Sequence, residues 1–321
     1  MMRGRHSWGV AVRRPSGGIA RVAYRLEPAG ARHRWLKLPV VRGVVALYES
    51  LSLGIKALGI SANVGLEDPN AHDDDLPAAE PAGTGPSGEA AAEAAADSTT
   101  PGSPPAFGWK ELAVTVLVAV AFAVGLFVVI PLVVVKHFES TFSNPFLFNL
   151  VEGLIRIALF LLYILVISLL PDLRRVFQYH GAEHKVIHAY ESCGRPDAEH
   201  ARGFSTLHPR CGTGFLLLVM VVAVLVFATI GKPSLPWLVL SRIVGIPLII
   251  GISYEVGIKW AGKHPDGFFA GILLWPGIQL QRLTTREPTP EQLEVAAAAL
   301  EEVMRMDEAE QNGIEELAAP A

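Results

Sequence analysis

The residues best equipped for chemistry lie in one segment, Phe177-Gln178-Tyr179-His180-Gly181-Ala182-Glu183-His184-Lys185-Val186-Ile187-His188-Ala189-Tyr190-Glu191. On a helix, His180, His184 and His188 step by four and line one face, and Glu191 extends the same stripe. His180 to His184 has the form H-x-x-E-H, the inverted zincin pattern, with Glu183 beside the second imidazole. Two imidazoles at i and i+4 can both reach one metal ion, and the carboxylate between them can take the proton of a metal-bound water. Further along, His208-Pro209-Arg210-Cys211-Gly212-Thr213 brings another His and a Cys to the start of an apolar run. A mixed set of His, Cys and carboxylate suits zinc or another divalent transition metal. The expected ligand pool is therefore His180, His184, His188, Glu191, His208 and Cys211, with Glu183 as general base.

The motif alone is a weak signal in a chain with 10 histidines. The same residues also suit the polar face of an amphipathic helix, with the histidines structural. Gly181 either breaks the helix or meets a packing demand, since Gly in a helix interior costs about 1 kcal/mol relative to Ala. Cys193, next to Gly194, reads as a loop residue, and the two cysteines read as free thiols or ligands rather than as a bridge. Glu255, at the end of an apolar run, is a further site candidate or else a partner for Arg242 or Lys259. Arg156 and Glu152 read as a structural pair on one helix face. The sequence has no P-loop, no G-x-G-x-x-G, no Ser nucleophile elbow and no C-x-x-C.

The elements that must position these residues follow from the apolar pattern. The hydrophobic fraction is 51%, and it is concentrated in four runs. These are about Leu112 to Val135, Phe146 to Leu170, Gly214 to Ile230 and Pro236 to Tyr254, each near the roughly 20 residues a helix needs to cross a bilayer core. The expected fold is mainly α: a polytopic helical membrane protein with about four transmembrane helices, a small N-terminal β-hairpin and a soluble C-terminal helix. A fifth apolar stretch, Gly267 to Leu280, is short and holds Pro276, so it reads as interfacial or re-entrant. Val40 to Ile60 carries Arg42, Glu49 and Lys56 near one stripe, which favours a helix lying in the interface over one burying three charges. In Ser7 to Pro28, Trp8, Val10 and Val12 alternate ahead of the turn Pro15-Ser16-Gly17-Gly18, the pattern of a hairpin.

Charge is segregated, although the net value is only −4. Residues 1–64 are basic, with Glu27 and Glu49 their only acids. Residues 65–107 hold acids but no Lys or Arg and almost no bulky hydrophobes, the composition of a disordered linker. Residues 108–286 form the membrane domain, with the His-rich loop at 171–213, and residues 287–321 form an acidic helix and tail opened by the capping box Thr289-Pro290-Glu291-Gln292. Lys and Arg crowd the N-terminal part, the 171–213 loop and the region after the fourth run, whereas the other loops hold only Lys136 and Lys232. This bias places both termini and the His segment in the cytoplasm. The expected setting is multi-pass in a bacterial inner membrane, with the lipid bilayer as partner, a homo-oligomer compatible with it and no nucleic acid.

Met1-Met2-Arg3-Gly4, Arg34-Trp35-Leu36-Lys37-Leu38-Pro39, Arg42-Gly43, the His180 to Glu191 segment, His208 to Thr213 and Gln281-Arg282-Leu283-Thr284-Thr285-Arg286 together resemble the YqhQ-like bacterial membrane proteins. The likeness covers nearly the whole chain apart from the acidic linker and the tail. Members usually carry a Gly-rich segment ahead of the Met-Met-Arg-Gly stretch, so the resemblance implies a start upstream of Met1. It also implies a metal-dependent enzyme of undefined substrate. The leading expectation is thus a membrane-embedded metal-dependent hydrolase acting at the cytoplasmic face. The rival is a non-catalytic scaffold or assembly factor whose His-rich loop binds a partner. A transporter is disfavoured by the absence of an inverted repeat.

Overall fold

Alternating apolar residues at the N-terminus build an antiparallel sheet in the order β1 (Met2–Arg3), β2 (Ser7–Arg13), β3 (Ile19–Arg25). The computed structural model describes residues 1–26, 33–65, 109–137, 144–231, 235–264 and 267–318. The expected hairpin is present. Trp8 pairs with Tyr24 across β2 and β3 and stacks on it with ring centroids 5.0 Å apart. Gly17 closes the turn at φ +97°, which favours Gly over residues bearing a Cβ. The added strand β1 is two residues long, too short to leave an alternation signal. The acidic linker expected at 65–107 falls almost wholly outside the described residues.

The rest of the chain is helical. A short 3-10 turn (Arg34–Lys37) precedes α1 (Val41–Gly65). Then come α2 (Trp109–Val124), continued through a π turn at Gly125–Val129 into α3 (Ile130–His137), and α4 (Pro145–Ile167). The His-rich α5 (Pro171–Cys193) is followed by the single turn α6 (Ala198–Ala201). Next are α7 (Gly212–Thr229) and α8 (Leu235–Ser253), which runs through Pro247 into a π segment at Tyr254–Trp260. Last are α9 (Phe268–Thr284) and α10 (Pro290–Ala318). Five helical stretches among the described residues are long and apolar enough to cross a membrane: Val41–Gly65, Leu117–His137, Pro145–Ile167, Gly212–Thr229 and Leu240–Lys263. Four match the expected runs, and the fifth is α1, which the sequence places in the interface. Pro276 does not interrupt α9, which continues unbroken around it.

Two packing arrangements position the polar segment. In the first, α10 lies across both the sheet and α5, with Met2, Ala182, Val186, Ala189, Leu293, Ala297, Leu300 and Val303 in one buried cluster. The C-terminal helix is therefore a structural cover, and the capping box forms as expected: Thr289 N–H donates to Gln292 Oε1 at 2.9 Å, and Gln292 N–H to Thr289 Oγ1 at 3.4 Å. In the second, α7 and α9 touch through glycines. A Cβ on Gly277 would lie 2.8 Å from the Gly214 Cα, so the two backbones meet directly. That approach holds the last turn of α9 against the start of α7.

Among the described residues, two ion pairs lie inside the apolar helices. Arg156 bonds Glu152, as expected, and its Nε also donates to the Phe127 carbonyl in the π turn at 2.8 Å. Glu255 takes neither of the partners expected from sequence. It forms a two-point ion pair with Arg42 of α1, because Val40 packs against Gly251 and brings the two helices together there. Arg242 instead places its guanidinium over the Phe227 ring, 3.6 Å from the centroid.

Candidate metal centre at the start of α7

Helix α5 runs without a break through Gly181, so the expected His stripe is real. The Gly has a packing reason: a Cβ there would lie 2.1 Å from the Arg286 carbonyl oxygen. Arg286 in turn donates its N–H to the Phe177 carbonyl at 2.9 Å, which zips the chain after α9 onto α5. This contact carries the Thr284 carbonyl to His180, whose Nδ1 lies 2.7 Å from it. One turn further, His184 Nδ1 lies 2.6 Å from the Thr206 carbonyl. A carbonyl only accepts, so both rings carry a proton on Nδ1 and turn Nε2 inward.

Both Nε2 atoms meet Cys211. The His180 Nε2 is 3.3 Å from its Sγ, and the ligand atoms of His180, His184 and Cys211 all lie within 4.8 Å of one another. Cys211 caps α7, and its Sγ is 3.2 Å from Thr213 Oγ1. Burial alone would push its thiol up, but the hydrogen bonds and charges of His180 and His184 outweigh it and bring it down to about 5. The free amides at the N-terminus of a helix favour the same thiolate. For His180, burial works against the charged form, yet the bond and the charge from Cys211, with Glu183 nearby, leave its pKa raised. Without a metal the two shifts together favour an imidazolium–thiolate pair. The set is also suited to an ion: one soft thiolate and two imidazoles, each locked by a backbone carbonyl behind it, as ligating histidines generally are.

The other sequence candidates surround this group. His208 is buried, and its Nδ1 accepts the Arg210 N–H at 3.3 Å while Nε2 faces Glu191 Oε2 at 3.3 Å. Burial lowers its pKa despite Glu191, so near pH 7 this contact is a hydrogen bond from a neutral ring, not an ion pair. Both its nitrogens are thus engaged away from Cys211. Glu191 also accepts from Arg210 at 3.1 Å. The His188 ring packs 4.7 Å from that of His208, and burial lowers its pKa too. Glu183 is half-buried and has no hydrogen bond among the described residues. Glu255 lies with Arg42, apart from this cluster.

Several positioning residues carry no obvious sequence signal. Gln281 is fully buried and bridges His208 with its amide, accepting from the His208 N–H at 2.7 Å and donating to the His208 carbonyl at 2.8 Å. Lys185, also buried, donates to the Arg202 carbonyl at 3.0 Å and pairs with Glu287 at 2.5 Å. Together they tie the 194–211 loop to α5 and α9. The carbonyls of Thr206 and Thr284 act through the main chain, which side-chain type cannot announce.

The family described as "Protein of unknown function (DUF1385)" matches residues 38–306. The chain belongs to that family. It is also similar to the uncharacterized protein YqhQ of Bacillus subtilis (strain 168), 32% identical over 307 residues, which is 96% of this chain and 90% of that one. No solved structure matches it. The family match spans all the candidate ligands and Gln281, so the whole cluster belongs to the shared part of the chain.

Proposed function

We propose that the chain is a metal-dependent hydrolase of the bacterial inner membrane, with its site on the cytoplasmic face and His180, His184 and Cys211 as ligands. The observation that carries this reading is the convergence of three ligand atoms within 4.8 Å, with both rings fixed by carbonyls behind them. Three protein ligands leave a position open for water or substrate, the pattern of catalytic rather than structural zinc. A zinc or similar ion there would supply an activated water and a Lewis acid for an acyl or phosphoryl group. The chain's own groups supply the rest. Glu183, half-buried beside His184 on α5, would take the proton of the attacking water and return it to the leaving group. Neutral His208, held by Gln281 and Glu191, packs 5.8 Å from the His184 ring and braces it.

Metal analysis of detergent-purified protein tests this. Wild type should carry a stoichiometric divalent ion, His184→Ala should lose most of it because a ligand is gone, and Glu183→Gln should retain it. Equal, negligible metal in wild type and His184→Ala would overturn the metal reading. One observation would then favour a second reading: the Cys211 Sγ at 3.3 Å from His180 Nε2, with the ring oriented by Thr284, is also the arrangement of an activated cysteine nucleophile. A non-catalytic scaffold expects neither bound metal nor an activated thiol.

A further inference from the structure

A recess opens where β2, the first half of α5 and the start of α10 meet. It holds about 320 Å³, the size of a small-ligand site, and every side chain on its wall carries a polar group. Gln292 and Gln178 join across it, amide to amide, at 3.3 Å. Its charged groups are used unequally. The sheet arginines Arg13, Arg21 and Arg25 each pair with an acid of α10. Arg13, on the wall, also donates to the Gly17 and Glu291 carbonyls at 3.1 and 2.9 Å, so it is fixed in place with its charge met by Glu294. Arg175, on the same wall, has no hydrogen bond or ion pair among the described residues, and the Tyr179 hydroxyl has no hydrogen bond there either. Glu291 lines the same space and takes no cation among the described residues; its carboxylate accepts the Thr289 hydroxyl at 3.0 Å. The recess therefore presents one free guanidinium and one free carboxylate. Its place is also defined. Helix α5 starts at Pro171, directly after the apolar α4 ends at Ile167. Leu169, Leu170 and Val176, around Arg175 in the chain, are exposed apolar residues, as on a segment bordering lipid.

We propose that this recess holds the phosphoethanolamine headgroup of a membrane phospholipid. The phosphate meets the Arg175 guanidinium and the Tyr179 hydroxyl, and the ammonium meets Glu291. A guanidinium fork is matched to phosphate oxygens, and an ammonium brings N–H donors to a carboxylate. An anionic headgroup would satisfy Arg175 but set a second negative charge beside Glu291. A free cation and a free acid in one cavity complement a zwitterion. The lipid source follows from the place: headgroups stand beside the exposed apolar residues that flank Arg175. A lipid held there pins the unit of sheet, α5 and α10 to the membrane surface. This site stands whether or not the His180–His184–Cys211 group is a hydrolase centre.

Native mass spectrometry of the full-length protein in detergent tests this. Offered equal amounts of phosphatidylethanolamine, phosphatidylglycerol and phosphatidylcholine, wild type should retain phosphatidylethanolamine in preference to the other two. Arg175→Ala should weaken that retention about tenfold, the worth of a charge-assisted hydrogen bond. Arg174→Ala, exposed like its neighbour but outside the recess, should leave it unchanged. Glu291→Gln should turn the preference toward phosphatidylglycerol, because the guanidinium then stands without an acid beside it. A wild-type preference for phosphatidylglycerol, or equal losses in Arg174→Ala and Arg175→Ala, would mean only a general attraction of a basic surface and would overturn the proposal. So would no retained lipid in wild type. Glycerophosphoethanolamine, the headgroup without its chains, should compete poorly; competition as strong as that of the lipid would overturn the membrane as the source. Metal content of the same samples should be equal in all four proteins, which keeps this outcome separate from the fate of the metal reading.

Discussion

At the scale of single residues, the candidate centre is made by what stands behind the ligands. An imidazole at i and another at i+4 are common on helices. Here each has its Nδ1 within 2.7 Å of a carbonyl, so its tautomer and orientation are fixed before any ion arrives. The same bonds predict how the metal-free protein behaves. With the Cys211 thiol brought down to about 5, its thiolate persists until the pH falls through that value. In a Cys193→Ser background, iodoacetamide should therefore modify Cys211 at pH 6 nearly as fast as at pH 8. His180→Ala removes the main partner of the thiolate, so the rate at pH 6 should fall toward the roughly 75-fold drop relative to pH 8 of a thiol of ordinary pKa. A flat profile in both proteins would show that His180 is not what activates the thiol. His180, Glu183, His184 and Cys211 were legible because residue type and helical spacing mark them. Thr206 and Thr284 were not, because a backbone carbonyl has the same chemistry at every residue. Gln281 sat in a quoted motif, yet its role depends on the Gly214–Gly277 contact, which joins segments far apart in sequence.

At the scale of elements, α1 shows how one helix can satisfy two readings at once. By length and hydropathy it could cross a membrane. Its Leu53 and Ala57, however, lie in one buried cluster with Trp8 and Val10 of the sheet, and Arg3 pairs with Glu49 at 2.7 Å. The other side is an exposed apolar stripe of Tyr48, Leu51, Ile55 and Leu58. A sheet edge cannot sit in the hydrocarbon core with unpaired backbone groups, so we propose that this helix, bearing the sheet on one side, lies at the interface with its stripe in the lipid. A tryptophan introduced as Ile55→Trp should be quenched more strongly by lipids brominated near the glycerol than by lipids brominated near the chain ends. The reverse order would mean that α1 crosses. The sequence carried the period of this helix and the spacing of its charges. It could not say that Arg42 leaves the stripe to meet Glu255, because that pair closes across two helices distant in the chain. Likewise the capping box at Thr289 announced a helix, but its role as cover for both the sheet and α5 is a tertiary fact.

At the scale of the whole molecule, one shared core constrains the path of the chain. The sheet, α5 and α10 bury residues in a single cluster, so all three must lie on one side of any membrane the chain crosses. Between the sheet and α5 stand three candidate spans: α1, Leu117–His137 and α4. A return to the same side needs an even number of crossings, so one of the three stays out, and α1 is already held by the sheet. Between α5 and α10 stand α7 and Leu240–Lys263, which cross and return, while α9 falls short of a span at 17 residues. On this parity we propose four crossings, the same number as the four apolar runs. We propose that the Lys and Arg bias sets the orientation, with the shared core inside. With Cys193 and Cys211 replaced by serine, Tyr190→Cys and Glu308→Cys should both escape an impermeant maleimide on intact cells and react once the inner face is opened. Ile230→Cys, at the far end of α7, should react from outside. Tyr190→Cys and Glu308→Cys on opposite sides would break the parity argument at its root, since α5 and α10 could not then share a core. Both reacting from outside would keep the parity and invert the protein, moving the candidate centre to the outer face and leaving the charge bias as the mistaken step.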